Sequence, residues 1–403
     1  MKVVFFVRDL RAASVTFIRK QINLVREQHE VLVITVDHQP RYELDSIPCV
    51  GIPFQDSSWT NRPMRRLAKW DVFYGFFNPS FGKTLTQAVV EFDPDVIHCQ
   101  FGPDGILFLD HFPNPGQIPV FIQFRGYDAS YMYTKHSYRR RLRYFFAFRW
   151  IHPIYVSHDQ YHRTLALKIF PDKKRILYSC TDLEVFKFRS TLPFSEKREF
   201  KFLQVGRMVE VKGHEFSLLA FQQLVLFLAT NGASASLTCV GGGPLIDSLR
   251  KKSQELGLAD HVRFLDTVTH RQVRGYLEEA DCVLHPSVMT SDGRIEGLPN
   301  AIMEALAVGV PVIATRHFGI EELMCHRGSL FLVEEWDVPG FARVMIQLVS
   351  GALSFDSSIS RKMIEDKFSA KQHLAQLLAY YQGEASAPHG KRQFSGAEKK
   401  RSL

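Results

Sequence analysis

Two glutamates, Glu296 and Glu304, stand eight positions apart in the segment Asp292-Gly293-Arg294-Ile295-Glu296-Gly297-Leu298-Pro299-Asn300-Ala301-Ile302-Met303-Glu304-Ala305. Pro299 suits the first turn of a helix, where its missing N–H is not needed. The spacing predicts a helix running to about Val308, with Gly309 as its cap. Glu296 then lies in the loop before the helix and Glu304 in its second turn. Eight residues at about 3.6 per turn leave the two carboxylates about 80° apart, so they touch different parts of one ligand rather than share a face. A carboxylate can accept two sugar hydroxyls, the role expected of Glu304. The free N–H groups at the helix start favour a phosphate. An isolated glutamate on a helix is commonly only solvated; the Gly-Pro loop distinguishes this pair.

Two other segments carry residues suited to the same ligand. Val205-Gly206-Arg207-Met208 ends an apolar run with a glycine, and Lys212-Gly213 follows. Arg207 and Lys212 place two cations five residues apart, and fixed positive charge can hold a diphosphate leaving group without a metal. Val240-Gly241-Gly242-Gly243-Pro244 follows another apolar run, and Gly242 and Gly243 permit close backbone contact with a ligand. Taken alone, a cation pair in a loop is usually solvated and a glycine run is weak evidence. It is not the G-x-G-x-x-G of dinucleotide binding, and no such motif follows the first strand of either half, which sets aside a nicotinamide dehydrogenase.

Elements able to position these loops alternate along the whole chain. Apolar runs at Val3–Val7, Val31–Val36, Val96–Cys99, Val120–Phe124 and Ile154–Val156 read as strands, with amphipathic stretches such as Phe17–Arg26 and Gly82–Glu91 between them. The alternation restarts at Phe202–Val205 and continues through Ser236–Val240, Val262–Leu265, Cys282–His285 and Val310–Ala314. This is the pattern of parallel sheets covered by helices, in which ligands sit beyond the carboxyl ends of strands. The polar, charged stretch 187–200 reads as a linker. The expected organisation is two successive open α/β units, an N-terminal Rossmann-like domain over 1–190 and a second domain, which holds the two glutamates, over 196–365. A C-terminal helix over 366–383 returns to the first domain, and a disordered tail covers 384–403.

A chain of 403 residues is long for one core, and 45% hydrophobic with 23% charged residues is ordinary for a globular protein. No run of eighteen apolar residues occurs, and the apolar start MKVVFFV meets Arg8 and Asp9 too soon for a signal peptide. The six cysteines are scattered singly, with no C-x-x-C pair, which points to a reducing, cytoplasmic setting. Residues 1–195 hold 26 Lys/Arg against 18 Asp/Glu, the whole of the net +8. Arg139, Arg140, Arg141 and Arg143 run into Phe145, Phe146, Phe148 and Trp150. Such a run is either a solvated face above packed aromatics or a surface for anionic lipid or an acidic acceptor at the inner face of the membrane. No nucleic-acid motif is present.

Together, FLQVGRMVEVKGHEFSLLAF, LTCVGGGPL, HPSVMTSDGRIEGLPNAIMEALAVGVPVIAT and FGIEEL resemble, in order, the C-terminal domain of retaining glycosyltransferases of family 4. That resemblance covers residues 200–340. It implies the α/β GT-B fold of two facing Rossmann-like domains and a nucleotide-sugar donor, UDP- or GDP-linked, with no further cofactor. By the same resemblance Arg207 and Lys212 contact the donor diphosphate. Glu296 contacts the transferred sugar or stabilises the site, Glu304 contacts the ribose hydroxyls, and the backbone at Gly297–Asn300 approaches the phosphates. In the first half, Ser14-Val15-Thr16-Phe17-Ile18, His98-Cys99-Gln100-Phe101-Gly102, Phe124-Arg125-Gly126-Tyr127-Asp128 and Tyr178–Phe186 are similar to the family's acceptor-side segments. They mark Ser14, Arg125 and Asp128. The subgroup most resembled extends lipid-linked exopolysaccharide or surface-polysaccharide repeats.

Many relatives carry His where this chain has Arg125. Arginine is a permanent cation that donates but does not accept, and Asp128 is placed to pair with it. In retaining family members the departing diphosphate is thought to take the acceptor's proton, leaving positioning and charge stabilisation to the protein. Asp93-Pro94-Asp95 mimics a metal-binding D-x-D but reads as a turn, so activity without divalent metal is expected. Two alternatives share the layout. One is a catalytically impaired scaffold subunit, suggested by Arg125. The other is a nucleotide-sugar epimerase, which lacks the combination of Arg207, Lys212, Glu296 and Glu304.

Overall fold

The computed structural model describes residues 1–11, 15–37, 39–44, 46–53, 79–114, 117–169, 174–189, 194, 197–317 and 319–385. They form two compact units: 1–156 with 161–177 and 374–385, and 157–160 with 178–373. The division falls at Leu177/Tyr178, ahead of the polar stretch 187–200. The reason is apolar: Phe186 is buried with Val308 and Leu306, and Tyr178, Leu183 and Val185 pack on the same core. Arg189 N–H then bonds the carbonyl of Val308 at 2.8 Å.

In the first unit β1 (Lys2–Val7), β2 (Glu30–Thr35), β3 (Tyr42–Leu44), β4 (Ile47–Gly51), β5 (Val96–Cys99), β6 (Val120–Phe124) and β7 (Ile151–Tyr155) form one sheet in the order β3-β4-β2-β1-β5-β6-β7. Every pairing is parallel except the β3–β4 hairpin. Helices cover both faces of a parallel sheet, so its inner strands read as unbroken apolar runs. Val3, Val4, Phe5 and Phe6 are all fully buried. Each such side chain contributes roughly 1.5–3 kcal/mol by leaving water. Pro153 lies in β7, at the sheet's edge, where a missing N–H is tolerated.

The second unit repeats the scheme. Here β8 (Glu199–Val205), β9 (Ser234–Val240), β10 (Val262–Leu265), β11 (Cys282–His285), β12 (Val312–Thr315) and β13 (Leu330–Val333) run in the order β10-β9-β8-β11-β12-β13, all parallel. Register aligns Phe202 with both Leu237 and Cys282 at the sheet's centre.

The expected single helix over 366–383 is two helices, Ser357–Phe368 and Ala370–Ala385, broken at Ser369, whose backbone is extended and bridges to Thr181. From Leu374 onward the second helix belongs to the first unit. Leu374, Leu377 and Tyr381 are buried there with Val3, Phe5 and Phe121, and the Tyr381 hydroxyl lies 2.5 Å from His98 Nδ1. Of the expected disordered tail over 384–403, Glu384 and Ala385 instead end this helix, with Glu384 paired to Arg175, and residues 386–403 lie outside the described residues.

Candidate active site

Because the strands of the second sheet are parallel, the loops leaving their carboxyl ends meet along one edge. The loop after β8 is drawn onto the loop after β11 by Gly213. Its φ is 60°, and a Cβ there would stand 1.8 Å from the carbonyl oxygen of Pro286. Only glycine permits that approach. Lys212, one residue earlier, is thereby carried to Glu296.

Glu296 is bound on every side. Its Oε1 pairs with Lys212 Nζ, and its Oε2 accepts from Ser287 Oγ at 2.5 Å and from His285 Nε2 at 2.9 Å. Burial pushes this carboxyl up, but Lys212 and His285 outweigh it and hold it well below the ordinary carboxylate range. His285 moves down, chiefly through burial, with Glu296 opposing and Lys212 adding to the shift. His214, next in sequence to Gly213, is driven by burial and by Lys212 and His285 down to about 3, so it is a neutral ring. The cluster thus contains an ionised glutamate, one ammonium and neutral imidazoles.

The backbone of Glu296 is fixed as well. Its N–H donates to His317 Nε2 at 3.2 Å, and His317 Nδ1 bonds Glu335 Oε1. Glu335 Oε2 accepts from the N–H of Met289 at 3.0 Å. Residues after β11, β12 and β13 are therefore tied together around one carboxylate. Neither His317 nor Glu335 stood out in the sequence, and His285 and Ser287 lay unremarked inside a quoted segment.

Glu304 lies in the second turn of the helix Asn300–Val308, 8% exposed, with His270 Nδ1 at 3.8 Å from Oε1. Pro299 is the residue before the helix, one position earlier than expected, with extended backbone. Gly309 ends the helix at φ 95°, in the left-handed region. Leu298 and Pro299 are buried, Gly297 and Asn300 half-buried, and no side chain caps the helix start. Arg207 is exposed just beyond β8. Gly242 and Gly243 meet protein rather than open space. The Met208 N–H bonds the Gly242 carbonyl at 2.9 Å, and a Cβ on Gly243 would stand 2.4 Å from the Met208 carbonyl oxygen. The glycine run lets the loops after β8 and β9 lie backbone to backbone, a packing role beside the ligand contact expected from the sequence.

In the first unit Arg125 follows β6. Its Nη2 lies 2.6 Å from Gln100 Oε1, 2.8 Å from Gln21 Oε1 and 2.9 Å from Gln123 Oε1. Gln100 in turn donates to Gln21 at 2.9 Å, and Gln21 to Gln123 at 3.0 Å. The guanidinium also lies over the Phe17 ring, 4.6 Å from its centroid. The expected pairing of Asp128 with the Arg125 side chain is corrected. The Asp128 carboxylate accepts from the backbone N–H groups of Gly102, Arg125 and Gly126, at 2.9–3.0 Å. Fully buried, it finds local N–H donors that cost no side-chain ordering, while burial still pushes its carboxyl up. Ser14 lies outside the described residues.

On the helix His136–Phe146, Leu142, Phe145 and Phe146 are buried and Arg140 and Arg143 exposed, while Arg141 pairs with Asp110. Asp93-Pro94-Asp95 leads into β5, and Asp95 accepts from the N–H of Lys2 at 2.9 Å. Among the described residues no group of three or more potential metal ligands occurs, and no helix is long and apolar enough to cross a membrane.

Residues 188–366 match the family model described as glycosyl transferases group 1. The amylovoran biosynthesis glycosyltransferase AmsK of Erwinia amylovora is 26% identical across 93% of this chain and 97% of its own. Among solved structures, sucrose-phosphate synthase from Thermosynechococcus elongatus superposes with a TM-score of 0.74 at 17% identity, covering 95% of this chain and 98% of that one. Anabaena HepE in complex with UDP does so with 0.69 at 16% identity, covering 95% and 100%. The fold is therefore that of the GT-B glycosyltransferases, α/β with two parallel-sheet Rossmann-like domains.

Proposed function

We propose that this chain, whose residues 188–366 match the family model described as glycosyl transferases group 1, transfers a hexose from a UDP- or GDP-linked sugar to a lipid-linked saccharide, with retention of configuration and without a divalent metal. The setting is exopolysaccharide, capsule or lipopolysaccharide synthesis. The observation that carries the reading is the pairing of Lys212 with Glu296 beyond the carboxyl ends of β8 and β11, with Glu296 four residues ahead of the helix Asn300–Val308. AmsK, named for amylovoran biosynthesis, and HepE, solved with UDP, support the polysaccharide setting and the nucleotide-linked donor.

In this reading Arg207, Lys212 and the backbone N–H groups of Gly297, Leu298 and Asn300 take the charge that builds on the diphosphate as the glycosidic bond breaks. Glu304 accepts the ribose hydroxyls and Glu296 bears on the transferred sugar. The acceptor hydroxyl adds on the face the diphosphate leaves, and a diphosphate oxygen receives its proton. Arg125 donates to a sugar hydroxyl or to phosphate. Contact with anionic membrane is supported by Tyr144, Phe148, Leu165 and Leu167, which are 61%, 37%, 38% and 36% exposed. Arg143 bonds the carbonyls of Leu167 and Lys168, at 3.1 and 3.3 Å, so cations and apolar side chains share that surface.

Thermal unfolding in the presence of a panel of UDP- and GDP-sugars tests the donor. At a hundred times its Kd the correct one raises Tm by about 5–10 °C; no rise with any member overturns the transferase reading. Product from that donor keeps its anomeric configuration by NMR, and turnover survives exhaustive chelation. An inverted product, or activity lost and restored by manganese, overturns the corresponding part.

A further inference from the structure

We propose that His317 and Glu335 act as a positioning pair for Glu296, with Glu335 selecting the histidine tautomer that holds the Glu296 backbone. A backbone N–H can only donate, so His317 Nε2, 3.2 Å from the N–H of Glu296, must present its lone pair. The ring proton then resides on Nδ1 and is donated to Glu335 Oε1. The second oxygen of Glu335 accepts from the N–H of Met289 at 3.0 Å. Glu335 thus faces two donors, and a carboxylate is the side chain that offers an acceptor to each.

His317 is 3% exposed, so water does not substitute for either contact. His317 and Glu335 sit 21 and 39 residues beyond Glu296 in sequence, on the loops leaving β12 and β13, and act on its backbone N–H rather than on its carboxylate. Its action is on the loop. With the Glu296 backbone pinned, the carboxylate stays within reach of Lys212, Ser287 and His285; released, it can leave all three.

An amide in place of Glu335 cannot do this. Glu335→Gln keeps size and shape, yet whichever way the amide turns, its NH2 faces one of the two donors. If it faces His317, the ring proton moves to Nε2 and opposes the N–H of Glu296. In a serine protease the same exchange beside a histidine costs about 10⁴ in kcat through the wrong tautomer. Here the effect reaches the reacting atoms through a backbone contact, and a loss nearer 10–100-fold is expected.

The test uses the full-length chain labelled with 15N-histidine, His317 being assigned by comparison with His317→Asn. Wild-type His317 shows an Nδ1-protonated ring; an Nε2-protonated ring overturns the pair, whether or not any variant folds. Glu335→Gln lowers kcat about 10–100-fold with UDP or GDP affinity unchanged, and Glu335→Asp, which retains two acceptors, recovers part of it. Full kcat in Glu335→Gln, or a loss confined to nucleotide affinity, overturns the positioning role. The kinetic arm rests on the transferase reading; a wild-type protein that turns over no sugar nucleotide defeats that reading and leaves the ring's proton to decide the pair.

Discussion

Two half-buried cations lie at the carboxyl edges of the two sheets, and they are held in opposite ways. Lys212 is bound by the Glu296 carboxylate, itself gripped by Ser287 and His285. Arg125 is held by the carbonyls of three glutamines and the face of Phe17. In the first arrangement opposite charges balance, and the geometry depends on a group that titrates. In the second, neutral dipoles orient the guanidinium, and none of those partners changes charge with pH. A charge-balanced pair is strongly coupled and fragile to loss of one member, since the survivor is left buried and uncompensated. A cation set in amides depends on the shape of its head group instead.

The comparison can be broken most forcefully in the second unit. Glu296→Gln is expected to lower turnover about 10²–10³-fold, the range for losing one preorganised charged partner. Lys212→Met should fall in the same range, and the double variant should lose little more than either single one. Kinetics on all three decide it, and losses that simply multiply would show that Lys212 and Glu296 act separately.

A smaller effect is expected in the first unit. Arg125→Lys keeps the charge but loses the planar fork and the stacking on Phe17, so kcat/KM falls about 10–100-fold. Full activity in Arg125→Lys would mean that charge alone matters there, as it does for Lys212.

The smallest effect sharpens the contrast. The folded-state Glu296 carboxyl lies well below its ordinary value, so its ionisation contributes stability that is complete above about pH 4.5. That contribution is lost as pH falls through the folded value. The stability of the wild type relative to Glu296→Gln should therefore decline on acidification below about pH 4.5, whatever its value at neutrality. The difference between wild type and Arg125→Lys should not change over the same window. Chemical denaturation at a series of pH values measures both, and parallel curves for Glu296→Gln would remove the coupling.

The architecture was largely legible because buried parallel strands advertise themselves. Val3–Val7 is a continuous apolar run and Val120–Phe124 is broken only by Gln123, as suits strands of a doubly covered sheet. What escaped notice was short or interrupted: the Tyr42–Leu44 and Ile47–Gly51 hairpin carries Pro48, Leu330–Val333 has four residues, and Pro153 concealed half of β7. Glu296, Glu304, Arg207 and Lys212 were legible through their spacing and resemblance. His317 and Glu335 were not. They lie on later loops and meet Glu296 only because β11, β12 and β13 are parallel neighbours. The glutamines around Arg125 come from a helix and two strand ends, as far apart as Gln21 and Gln123, and a polar residue inside an apolar run gives no hint of which charge it will face.

The helix Ala370–Ala385 starts against one unit and finishes in the core of the other. The order of synthesis on the ribosome is therefore not the order of completion. Residues 1–177 emerge first but wait for Leu377 and Tyr381 to close over Phe121 and His98. By then every residue of the second unit through His373 has already been made. The first-born half of the chain is the last able to finish its interior, and a stop just before Leu374 leaves that interior open while sparing Lys212, Glu296 and Glu304.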